Sequence, residues 1–315
     1  MLAPLNRRDF LGGAASASAA AYLVGGSTNA ANAANAEEPS ASAAIAPKTT
    51  KSAVDWPIWG PPEEAALLDV LNSGKWGRTS GGRCLIEFEA AFGGRIQARH
   101  CLATSSGTTA LLTTLGALNI GPGDEVILPP YTFVATFNAI TNGYALPIFV
   151  DSDAETFQID PKKIASAITP NTKLIISVHI GGSPADLDAI SAITKAHQIP
   201  MIEDACQAPL AELRGRPVGT TGIAGCFSFQ ASKNLTSGEG GAITTNDDAF
   251  ADLCYNFHTP GGSRPSASPG RGANYRMTEF QAGVLLAQLS RFEVQSKTRQ
   301  ANALYLNEML AEVPG

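Results

Sequence analysis

Phe227-Ser228-Phe229-Gln230-Ala231-Ser232-Lys233-Asn234-Leu235, closed by Gly238-Glu239-Gly240-Gly241, is the stretch on which the reading of this chain turns. The run Gly225–Phe229 is predicted as a buried strand, and Ser228 stands at its end. Lys233 follows five residues later, on a turn anchored by the apolar Cys226, Phe227 and Phe229. A lysine on such a turn is partly desolvated, the setting in which an amine serves as a nucleophile. Taken alone, Lys233 is better read as an ordinary surface lysine on a glycine-rich loop.

Two further stretches bear on that choice. Pro200-Met201-Ile202-Glu203-Asp204 reads as a short buried strand that delivers a carboxylate to its C-terminal edge, where open α/β sheets bind ligands. Thr104-Ser105-Ser106-Gly107-Thr108-Thr109 reads as a strand end, a small-residue turn and the start of an apolar helix. Free amides and hydroxyls at a helix N-terminus form a phosphate cradle. A nucleophilic amine, a carboxylate to keep a ring nitrogen protonated and a phosphate cradle are together the requirements of pyridoxal phosphate bound as a Schiff base.

These motifs, in this order, resemble those of the DegT/StrS family of pyridoxal-phosphate-dependent sugar aminotransferases. The resemblance continues through Gly121-Pro122-Gly123-Asp124-Glu125, Tyr131-Thr132-Phe133-Val134-Ala135-Thr136, Val178-His179, Pro184-Ala185-Asp186, Glu203-Asp204-Ala205-Cys206-Gln207 and Asn274-Tyr275-Arg276-Met277. It implies the α/β, fold-type I large domain, a mostly parallel sheet between helices. It also implies Lys233 as the Schiff-base and proton-transfer residue, and Asp204 as partner of the pyridinium nitrogen. Gly107, Thr108 and Ser228 would hold the phosphate, Phe133 would stack on the ring, and Gln207 would lie near the ring hydroxyl. Asn274 would reach the phosphate of a neighbouring subunit, which makes the expected form a homodimer with shared active sites. Glutamate or glutamine would donate the amino group, and a keto-sugar, nucleotide keto-sugar or keto-inositol would accept it.

Some features depart from that pattern. Gly181-Gly182-Ser183 stands where the family often has an aromatic, and Pro209 where many members have histidine. The family continues beyond position 315 into a small C-terminal domain, so that domain is expected to be largely missing, with only its start at 291–315. An exported homologue that binds the cofactor with little or no catalysis is therefore an open alternative. A dehydratase of the same family would carry histidine in place of Lys233.

The remaining sequence sets bounds. With 44% apolar and 16% charged residues, the chain has ample material for a large core. A net charge of -6 without a Lys/Arg cluster argues against nucleic acid as a partner. Five scattered cysteines and four separated histidines show no metal-binding spacing. Cys206 and Cys226, in apolar strand-like runs, are expected as buried thiols, and His179, at a strand end, is expected at the cleft. Asn6-Arg7-Arg8-Asp9-Phe10-Leu11, a weakly apolar run and Ala34-Asn35-Ala36 resemble a twin-arginine export signal over 1–36. A periplasmic or exported destination follows if it is used, and a cytoplasmic one if it is not. Residues 37–55 read as a flexible linker, 56–290 as the cofactor-binding domain, and 258–273 as a mobile loop over a neighbouring active site. Strands are expected near 100–104, 125–128, 146–150, 174–179, 200–203, 225–229 and 241–245. Helices are expected near 62–73, 108–118, 135–142, 161–167, 187–197 and 278–310.

Overall fold

The computed structural model describes residues 56–261, 264–265, 271–311 and 313. The export signal and linker expected over 1–55, and much of the loop expected over 258–273, lie outside the described residues.

The first helix, α1 (Pro61–Ser73), begins with proline and has Glu63 and Glu64 in its first turn, and it ends at Gly74 in the left-handed region. The strands are β1 (His100–Thr104), β2 (Glu125–Leu128), β3 (Leu146–Phe149), β4 (Thr172–Val178) and β5 (Met201–Asp204). After a small β6–β7 hairpin (Glu212–Leu213, Arg216–Pro217) come β8 (Ala224–Ser228) and β9 (Gly241–Thr245). Seven of these form one sheet in the order β1-β9-β8-β5-β4-β2-β3. The β2–β3, β2–β4, β4–β5 and β5–β8 pairs are parallel, and β9 runs against both of its neighbours. The mostly parallel α/β sheet is as expected.

The parallel strands release their chains at one edge, and the long connections there carry the helices α3 (Gly107–Ala117), α4 (Val134–Asn142), α5 (Pro161–Ala167) and α6 (Leu187–His197). Two helices escape the sequence reading: α2 (Cys84–Arg95) and α7 (Asp248–His258). Helix α2 explains the alternation of β8. Strand side chains point to opposite faces in turn, so Phe227 and Phe229 enter one core while Cys226 and Ser228 face the other way. Phe229 meets Phe88 and Phe92 of α2 edge-on at 5.4 and 5.3 Å, and Phe227 meets Phe92 at 5.1 Å. All four rings are fully buried. Edge-to-face pairs of this kind add about 0.5–1.5 kcal/mol each beyond area burial. The strand end that leads to Lys233 is therefore pinned from behind.

Helix α8 (Glu279–Leu310) starts with Thr278 capping the Gln281 N–H, and Gln281 caps back. It runs unbroken for 32 residues, so the division expected at 290 falls inside a continuous helix. Among the described residues, no helix is long and apolar enough to cross a membrane.

Candidate active site

A cavity of about 490 Å³ opens at the C-terminal edge of the parallel strands. It is bordered by the turn after β1 (Ser106, Gly107, Thr108), the start of α4 (Thr132, Phe133, Thr136) and the ends of β4, β5 and β8. The loop between β8 and β9 adds Gln230, Ser232, Lys233 and Glu239. Seven of the eight residues expected at the site line it: Gly107, Thr108, Phe133, Asp204, Gln207, Ser228 and Lys233. Asn274 does not. It is exposed on a segment whose next residue, Tyr275, accepts the Ser105 N–H at 2.8 Å.

The lysine loop is held at its root. Phe229 donates its N–H to Gly240 (2.8 Å), and its carbonyl accepts from the Ser237 N–H (3.1 Å) and the Thr236 hydroxyl (3.0 Å). Leu235 is fully buried beneath the loop. Lys233 is half-buried, with its N–H bonded to the Gln230 carbonyl at 2.8 Å. Gln281 of α8 donates to the Glu239 carbonyl at 2.9 Å, which ties the far side of the loop to the long helix.

The turn before α3 is shaped by close packing. Ser106 accepts the Thr109 N–H at 3.1 Å and caps the helix. The first N–H groups of a helix have no intrahelical carbonyl, and those of Gly107 and Thr108 stand beside the cavity. A Cβ on Gly107 would sit 2.7 Å from Ser228 Cβ and 2.9 Å from Cys206 Sγ, so only glycine allows this approach. Gly241 answers the same need from the other side, since a Cβ there would lie 2.3 Å from the Ser106 carbonyl oxygen.

Asp204 is 5% exposed. Its Oδ2 accepts the Thr136 hydroxyl at 2.7 Å and its Oδ1 accepts the Cys206 N–H at 3.2 Å. Cys206, expected as a buried core thiol, borders the cavity instead. Burial and then the nearby Asp204 carboxylate push its thiol well above the usual range, so it remains a neutral part of the wall. The Gln207 side-chain oxygen accepts the Gly181 N–H at 2.8 Å, which fixes the amide at the cavity margin. Phe133 is 64% exposed, and at the rim Tyr131 meets Phe157 at 6.0 Å.

His179, expected at the cleft, is fully buried and does not line the cavity. It pairs with Glu203 at 3.1 Å between its Nε2 and Oε2. Its Nδ1 accepts the Ala185 N–H (3.1 Å), so the ring carries its proton on Nε2 and donates to Glu203. Glu203 also accepts N–H groups from Gly219 (2.7 Å), Thr221 (2.7 Å) and Gly222 (2.9 Å). Burial alone would raise this carboxyl, but the His179 and backbone hydrogen bonds outweigh it and hold Glu203 below its ordinary value. Period-two alternation along β5 could have told from sequence that Glu203 and Asp204 face opposite ways.

These residues fit a phosphorylated heteroaromatic aldehyde. The glycine cradle at a helix start suits a phosphate, the Asp204 carboxylate suits a ring N–H, and the Lys233 amine suits an aldehyde carbon. An α/β sheet with a lysine loop and a buried carboxylate at its parallel strand ends is the architecture of the fold-type I pyridoxal-phosphate enzymes. The chain belongs to the DegT/DnrJ/EryC1/StrS aminotransferase family, whose profile matches residues 59–315. It is 41% identical over 277 residues to the L-glutamine:2-deoxy-scyllo-inosose aminotransferase of Micromonospora echinospora, covering 81% of this chain and 65% of that relative. The fold is similar to the crystal structure of 3-amino-5-hydroxybenzoic acid synthase, with a TM-score of 0.77 and 36% identity over 83% of this chain and 69% of that one. It is also similar to NtdA of Bacillus subtilis, solved with the cofactor PMP bound (TM-score 0.67, 34% identity, 74% of this chain and 53% of that one).

Proposed function

We propose that this chain is a pyridoxal-phosphate-dependent aminotransferase. It moves an amino group from glutamate or glutamine to a keto-inositol, keto-sugar or nucleotide keto-sugar. The carrying observation is the convergence of Lys233, Asp204, Gly107, Thr108 and Ser228 on one cavity from three separate strand ends, those of β1, β5 and β8. When bound, the cofactor supplies an electron sink for the pair left on the substrate carbon after proton removal.

The chain's own groups supply the rest. Gly107 and Thr108 offer backbone N–H groups to the phosphate, and the Ser228 hydroxyl faces the same cradle. The Asp204 carboxylate would accept the ring N–H of the bound cofactor, Phe133 would cover a ring face and Gln207 would lie at the ring edge. The Lys233 amine would hold the aldehyde carbon at rest and, once freed, would take up and return the proton at the substrate carbon. Asn274 serves the phosphate of a second copy in a homodimer. Its exposure, which leaves it open to a neighbouring copy, supports this assignment. The twin-arginine segment supports export of the folded, loaded protein.

The test is an absorbance spectrum with pyridoxal phosphate, before and after adding glutamate or glutamine. A visible band that bleaches with the donor is expected, as is its loss in Lys233→Ala at unchanged melting temperature. A band that persists with both donors would overturn the donor assignment, and an unchanged band in the lysine variant would overturn the site.

A further inference from the structure

The Tyr131–Thr136 stretch contains two threonines, at 132 and 136, joined through their hydroxyls. Thr136 is fully buried in the first turn of α4. Its hydroxyl lies 2.7 Å from Asp204 Oδ2 and 2.8 Å from the Thr132 hydroxyl. An ionised carboxylate can only accept hydrogen bonds, and a threonine hydroxyl has one hydrogen to give. Thr136 must therefore spend its hydrogen on Asp204, so Thr132 is the donor in the 2.8 Å contact. The two hydroxyls form a chain of fixed direction that starts at the cavity wall and ends on the carboxylate.

We propose that Thr136, supported by Thr132, is a positioning residue that fixes the plane of the Asp204 carboxylate for a protonated aromatic nitrogen in the cavity. The inference rests on the reading of the cavity as a pyridoxal-phosphate site. Each carboxylate oxygen already accepts one bond, Oδ2 from Thr136 and Oδ1 from the Cys206 N–H, and these come from different elements. A carboxylate held at both oxygens cannot rotate, so its remaining lone pairs have set directions. The threonine is itself stiff, since β-branching in a helix restricts its side chain. Hydrogen bonds to ionised groups are shorter and stronger than neutral ones. Removing this one also leaves Oδ2 underpartnered in a nearly closed site, which costs more than the bond itself returns.

The experiment compares Thr136→Val and Thr136→Ser with the wild type. It reads the dissociation constant for pyridoxal phosphate, the pH profile of the visible band and the melting temperature of the cofactor-free protein. Thr136→Val is expected to weaken binding by about tenfold or more, the scale of a lost bond to a charged group, and to displace the pH profile. Thr136→Ser, which keeps the hydroxyl, is expected to restore both. Thr132→Val, at the partly exposed end of the chain, should weaken binding by roughly a few-fold, and it keeps the test open if Thr136→Val does not fold. Wild-type affinity and pH profile in both valine variants would overturn the proposal. So would a serine variant as impaired as the valine one, since the methyl group would then carry the effect. Failure of the wild type to bind the cofactor would instead defeat the reading of the cavity, which makes the two failures distinguishable.

Discussion

Glu203 and Asp204 are neighbours on β5, both buried, yet they are used in opposite ways. Glu203 Oε2 accepts from His179 and Gly219, and Oε1 accepts from Thr221 and Gly222. Two bonds on each oxygen fill the roughly four lone-pair sites of a carboxylate. This acid ties β4, β5 and the turn before β8 into one block. Asp204 takes one donor on each oxygen and turns what remains toward the cavity. A saturated buried carboxylate is part of the fold, whereas one held in place but left partly open is available for chemistry.

Substitution separates the two acids, with the larger effect on stability at Glu203. Glu203→Ala would leave His179 and three N–H groups without their acceptor. We expect a loss of about 3–5 kcal/mol in urea unfolding, as for other broken buried charge networks. Asp204→Asn should change unfolding by about 1 kcal/mol or less, while pyridoxal phosphate binding and turnover fall sharply. Equal destabilisation by the two variants would erase the distinction.

Acid sharpens it further. The folded pKa of Glu203 lies below the ordinary 4.5, so its contribution is present above that value and is lost as the pH falls through the depressed one. His258 makes a third case, a buried ring outside the cavity with its Nδ1 bonded to the Tyr255 carbonyl and its Nε2 without a hydrogen-bond partner among the described residues. Burial lowers it from 6.5 to about 3. Between those values the unfolded chain binds a proton that the folded one refuses, so stability falls as the pH drops from 6.5 toward 3. His258→Asn should flatten that part of a pH–stability profile, and an unchanged slope would remove His258 as its source.

Much of the cavity was legible in the sequence because its residues follow local rules. Ser228 and Lys233 flank a strand end, Gly107 opens a capped helix, and Asp204 closes an apolar run. Helix α2 was missed although Leu85, Phe88 and Phe92 are spaced for one buried face. Its N-cap, Arg83, makes no side-chain cap bond, and Gly93-Gly94 interrupts its last turn. The partners of His179, and the bond from Thr136 to a carboxylate 68 positions away, depend on which strands lie side by side. Periodicity along the chain does not carry that information. It is also why Cys206 was assigned to the core, when the turn after β5 places it against Gly107 at the cavity.

The role of Lys233 is tested by borohydride reduction of the protein mixed with pyridoxal phosphate, followed by peptide mass mapping. We expect one pyridoxyl group, on the peptide carrying Lys233, and its absence in Lys233→Ala. Label on another lysine, or spread over surface lysines such as Lys162 and Lys163, would contradict it.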